Sequence, residues 1–113
     1  MKKFLFVGTM AILLLKAGVV QAHPPGKIEL SYDAKEHILT VKIDHVTNNT
    51  LKHYIRKLTL FKNDQELDSY YFVTQSPQGL EEKIPLEAKS KDNIRVKAIC
   101  KQAGYLEQTL TIP

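Results

Sequence analysis

An immunoglobulin-like antiparallel β-sandwich of about seven strands is the fold this chain predicts, and three observations predict it. Apolar and polar residues alternate with period two through most of the sequence after residue 26, the pattern of strands with one face in a core and the other in water. The alternating runs are short and are separated at close intervals by turn-forming residues. No segment carries a convincing helical period, and only the stretch from Leu86 to Lys91 suggests one short helical turn. A small closed barrel is the alternative assembly of the same strands.

The runs follow in order along the chain. Lys27 to Tyr32 places Ile28, Leu30 and Tyr32 on one face. The turn Asp33-Ala34-Lys35-Glu36 leads into His37 to Val46, where Leu39, Val41, Ile43 and His45 share a face. The polar cluster Thr47-Asn48-Asn49-Thr50 reverses the chain, and Lys52 to Phe61 forms the third run. A turn at Asn63-Asp64 introduces Leu67 to Val73. Its aromatic stretch Ser69-Tyr70-Tyr71-Phe72-Val73 suits core packing more often than an interface. A weaker run covers Leu80 to Leu86. Asn93 to Cys100 then puts Ile94, Val96, Ala98 and Cys100 together, and Tyr105 to Ile112 closes the chain. There is no internal repeat, linker or low-complexity segment.

Residues 1–22 read as a cleaved secretory signal peptide rather than as part of the fold. Lys2 and Lys3 precede an almost wholly apolar stretch from Phe4 to Leu15, and Val20-Gln21-Ala22 offers small residues where a signal peptidase cuts. Lys16 interrupts the apolar stretch, which is short of the about 20 residues of a membrane span. No cysteine follows it to carry a lipid. The expected product is one exported domain, residues 23–113, periplasmic or extracellular and without membrane attachment. Loss of Lys2, Lys3 and Lys16 lowers the basic count from 16 to 13 against 12 acids. The residual charge of about +1 gives no reason to expect nucleic acid. A single cysteine cannot form an internal disulfide, and a thiol in an oxidising compartment must be buried or bound.

Imidazole and thiolate are ligands that transition metals prefer, and the chain holds four histidines besides Cys100: His23, His37, His45 and His53. His45 and Cys100 each end an inward-facing series, so both are expected where the core meets a rim of loops. His37 and His45 lie eight residues apart on one run, roughly 26 Å at about 3.3 Å per residue, and cannot share an ion. The reversal at residues 47–50 can return His53 towards His45, whereas His37 belongs at the opposite end. Cleavage after Ala22 would make His23 the first residue, on a stiff arm of Pro24-Pro25. No serine sits in a nucleophile motif and no glycine-rich phosphate loop is present.

His45, then His53-Tyr54-Ile55, then a late cysteine on an inward run resemble the superoxide reductase domain of the desulfoferrodoxin and neelaredoxin proteins. His23-Pro24-Pro25 looks like that family's early histidine, and the likeness covers most of residues 23–113. The resemblance implies an immunoglobulin-like sandwich holding a non-haem iron, with histidine nitrogens in a plane, one axial cysteine sulfur and an open position where superoxide is reduced to peroxide. The ligands carried over are His23, His45, His53 and Cys100. The chain departs from the family at Ala103, which stands where the last histidine ligand lies. The spacing from His45 to His53 is longer than in the family, Lys27 only loosely replaces a lysine near the first histidine, and there is no rubredoxin-like iron domain.

Three functions follow from these residues. The first is a superoxide-reductase-like oxidoreductase binding iron and a small oxidant. The second is a copper-binding protein that uses the terminal amine and ring of His23 together with His45 or His53; zinc also suits four nitrogen and sulfur ligands. The third is a metal-free accessory module, binding a partner or a second copy of itself through loops or an open edge strand.

Overall fold

The computed structural model describes residues 25–102 and 104–113. It is an all-β, immunoglobulin-like sandwich of seven strands: β1 (Lys27–Asp33), β2 (Ile38–Asp44), β3 (Ile55–Lys62), β4 (Gln65–Tyr71), β5 (Gly79–Pro85), β6 (Asn93–Cys100) and β7 (Tyr105–Thr111). One sheet has the order β1-β2-β5 and the other β4-β3-β6-β7. Every pairing is antiparallel. The two sheets are separate, so the closed barrel is excluded. The signal-like residues 1–22, His23 and Ala103 lie outside the described residues.

Period-two alternation explains the packing. Leu39, Val41 and Ile43 of β2, with Ile28 and Ile84, face Leu58, Leu60, Ile94, Val96 and Ala98 of the second sheet, all at most 2 % exposed. Burying one such aliphatic side chain contributes about 1.5–3 kcal/mol. The aromatic run splits as a strand should: Tyr70 and Phe72 pack half-buried against this core, while Tyr71 and Val73 are exposed. Asn63 and Asp64 both adopt positive φ, 52° and 67°, in a two-residue loop joining Lys62 to its partner Gln65. That backbone matches the right-handed twist of a hairpin and suits Asn and Asp.

Several strand bounds shift by one to three residues from the sequence expectation, β4 spanning Gln65–Tyr71 rather than Leu67 to Val73, and two of the shifts lie beside the candidate ligands. The second strand ends at Asp44 rather than Val46 because the backbone N–H groups of His45 and Thr47 turn to the carbonyls of Gln78 and Pro77, at 3.0 and 2.9 Å. The inward phase nevertheless persists, with His45 and Thr47 both buried. The third strand starts at Ile55, so His53-Tyr54 precede it instead of opening it. No helical turn forms over residues 86–91; the segment is irregular apart from a turn at Ser90-Lys91.

The two ends of the sandwich have different chemistry. At the end holding the β1–β2 turn, the Tyr32 hydroxyl donates to the Leu86 carbonyl at 2.7 Å and accepts from the Ala88 N–H at 3.2 Å. His37 sits at this end, exposed and at positive φ, with its Nδ1 3.3 Å from the same hydroxyl. The other end gathers the β2–β3, β4–β5 and β6–β7 loops.

Candidate metal centre

At that second end, His45, His53 and Cys100 converge. Their ligand atoms all lie within 4.8 Å of one another, and all three residues are buried. Exposures of 1 %, 7 % and 3 % place the cluster beneath the loops. The two imidazoles meet edge to face, with ring centroids 4.7 Å apart and planes at 88°. Donor atoms around a tetrahedral ion stand about 3.3–3.6 Å apart, given metal–nitrogen and metal–sulfur bonds of about 2.0 and 2.3 Å. Small side-chain movements would bring the three atoms to that spacing, so the cluster can hold a metal ion.

Each ligand arrives for a local reason. His45 is the continuation of the buried series Leu39, Val41, Ile43 beyond the end of β2. Cys100 ends the buried series Ile94, Val96, Ala98 on β6, and its neighbour across the sheet is Ile55. His53 is returned by a turn: the Asn49 carbonyl accepts from the N–H groups of Lys52 and His53 at 3.1 and 2.8 Å, and the Thr47 hydroxyl accepts from Asn49 N–H at 3.1 Å. The Lys101 N–H then donates to the Tyr54 carbonyl at 2.9 Å, tying the His53 segment to the cysteine strand.

A fourth residue holds the cluster in place. Gln75 is buried in the β4–β5 loop, and its amide nitrogen donates to the carbonyls of His45 and Ser76, at 2.5 and 2.9 Å. Its Oε1 accepts from the Ile55 N–H at 2.8 Å and lies 2.8 Å from His45 Nδ1. A carbonyl can only accept and a backbone N–H can only donate, so the amide has one orientation. Nδ1 of His45 must therefore carry a proton, so Nε2 is the nitrogen through which the neutral ring would bind a metal. Orienting a ligand histidine through its other nitrogen is a usual arrangement around protein-bound metals. Sequence reading misses Gln75, because a glutamine between Thr74 and Ser76 looks like a solvated loop residue. Its partners lie 20 and 30 positions away.

Of the residues expected at the site, His45, His53 and Cys100 meet and His23 lies outside the described residues. His37 is at the opposite end, as expected. Lys27 is exposed and paired with Glu29 at 2.8 Å. Compared with protein-family models, curated proteins and solved structures, the chain matches none.

Proposed function

We propose that the chain is an exported non-haem iron protein of superoxide-reductase type, in which His45, His53 and Cys100 hold the metal and His23 supplies a further nitrogen. The observation that carries this reading is the meeting of two imidazoles and the single thiol in one buried cluster. An iron bound there would be electron-rich through its thiolate and would offer an open position to a small oxidant. The chain's own residues supply the rest. Gln75 holds Nδ1 of His45 and so leaves Nε2 as the nitrogen for the metal, and burial shields the Cys100 sulfur from bulk oxidants. Reduction of superoxide to hydrogen peroxide takes one electron and two protons, so turnover needs an external electron donor. With Ala103 in place of the family's last histidine, the site has fewer nitrogen ligands than the family pattern. His37 is too remote to fill that place.

The test is anaerobic loading of the exported form with ferrous iron, followed by oxidation. A thiolate-to-iron charge-transfer band that vanishes in Cys100→Ser, together with catalytic loss of superoxide, is expected. Absence of both rejects the reading. Two histidines and one cysteine are also the donors of trigonal copper sites. Metal analysis of the protein isolated from its native compartment, with electron paramagnetic resonance, separates iron from copper and zinc. A metal-free preparation that takes up none of them would favour the accessory module.

A further inference from the structure

The end that carries the histidine and cysteine cluster differs in charge from the rest of the chain. Among the described residues, 45–58, 69–78 and 97–106 apart from Ala103 build it, and they contain Lys52, Arg56, Lys57, Lys97 and Lys101 but no aspartate or glutamate. The rest of the chain after residue 22 holds eight cations and all twelve acids. Acids flank these segments: Asp44 and Asp68 precede two of them, and Glu107 follows the third, lying opposite Lys97 with its carboxylate bonded to Arg95 at 2.6 Å.

These three segments form one continuous surface. Thr74 Oγ1 donates to the Thr50 carbonyl at 2.8 Å, and Gln102 Nε2 to the Lys52 carbonyl at 3.0 Å. The Phe72 N–H donates to the Arg56 carbonyl at 3.0 Å. Three of the cations rest on tyrosine rings: Lys57 over Tyr71 at 5.5 Å, Lys97 over Tyr105 at 4.3 Å and Lys101 over Tyr54 at 5.5 Å. Such contacts hold flexible lysines in place. Among the described residues, five of the six exposed large hydrophobic side chains also lie here: Val46, Leu51, Tyr71, Val73 and Tyr105. Exposed apolar side chains flanked by cations suit a docking surface steered by charge complementarity.

We propose that this end is the docking surface for an acidic partner protein, which, if the metal reading above holds, is the electron donor. Charge complementarity selects an acidic partner, and continuity with the cluster brings that partner next to Cys100. The shape favours a protein over an anionic bilayer. Tyr71, Lys57, Ile99 and Tyr105 form one row across the outer face of the β4-β3-β6-β7 sheet. A membrane touching the loop tips at Leu51 and Val73 would leave that row at the side of the sandwich.

The test titrates the ¹⁵N-labelled exported form with poly-L-glutamate and, separately, with phosphatidylglycerol vesicles. Amide shifts induced by poly-L-glutamate are expected to concentrate in residues 46–57, 71–74 and 97–105. The double change Lys52→Glu and Lys101→Glu is expected to weaken binding about tenfold, with a weaker salt dependence, while Lys83→Glu on β5 leaves it unchanged. Should the double variant not fold, Lys52→Gln and Lys101→Gln serve in its place. Shifts spread over both ends, equal effects of the end variants and Lys83→Glu, or binding to vesicles alone would overturn the proposal. Cys100→Ser is expected to bind poly-L-glutamate like the parent protein. Docking thus stands or falls separately from the metal reading.

Discussion

Replacing Gln75 by leucine keeps the side chain's approximate size and removes every hydrogen bond it makes. The His45 and Ser76 carbonyls, the Ile55 N–H and the Nδ1–H of His45 would all lose this partner in a buried setting. Leaving a buried polar group unsatisfied costs about 1–3 kcal/mol, so four such groups at the lower end of that range give a loss of about 4 kcal/mol. For a domain of this size that is a large part of a typical stability of about 5–15 kcal/mol. It lowers the melting temperature by roughly 15–30 °C. Calorimetry and urea unfolding of Gln75→Leu measure this directly. If His45 is a ligand, losing the group that orients its ring also weakens metal binding by about 10–100-fold. A variant within about 1 kcal/mol of the parent, with metal affinity unchanged, would show that the amide does not brace the cluster and would refute the tautomer assignment built on it.

Three further outcomes are expected. Gly79 sits at φ 148°, and a Cβ built there lies 1.9 Å from the Ile43 carbonyl oxygen, so Gly79→Ala should destabilise by more than about 3 kcal/mol in a thermal or urea melt and loosen the β2–β5 pairing beside His45. The Asp92 carboxylate accepts from the Lys89 N–H and the Asn63 amide, which hold its pKa below the ordinary 3.8. Its contribution is therefore complete above that value and is lost as pH falls through the lower folded value. Asp92→Asn should be less stable than the parent at pH 7, with the difference shrinking below about pH 4 in pH-resolved urea unfolding. His45→Ala should reduce metal affinity at least about tenfold and His37→Ala should leave it unchanged, as read by competition with a chelating dye. Equal losses would place the metal elsewhere.

The strands were legible because this small sandwich has one core, and each strand records which of its faces is buried. The inward series Leu39-Val41-Ile43-His45 and Ile94-Val96-Ala98-Cys100 could be read directly, and they predicted that an imidazole and a thiol reach the same end. The turn cluster at residues 47–50 predicted the return of His53, but not that His53 would stay in the turn with Tyr54. That boundary depends on where the Asn49 carbonyl finds its donors. The helical turn expected after Leu86 failed because that segment is held in an irregular path by long-range bonds from Tyr32 and a local bond to Asp92. Gln75 was invisible because nothing local distinguishes a bracing amide from a solvated one. The lysines were visible singly but not as one surface, since two distant segments contribute them.

The two ends of the sandwich carry the functional reading further than the cluster alone. Both ends contain buried polar groups, but those near Tyr32 and Asp92 serve the chain itself by satisfying loop backbone groups between β5 and β6. The groups at the other end are of another kind. Gln75 uses its full hydrogen-bonding capacity on the backbone and on His45, and it presents His45 to His53 and Cys100 rather than enclosing it. A core built for stability alone would be better served there by aliphatic side chains, which carry no desolvation cost. Keeping two imidazoles and a thiol together under loops that carry only positive charge makes physical sense when something binds at that end. The proposed metal would account for the donors beneath the loops, and the proposed acidic partner for the charge above them.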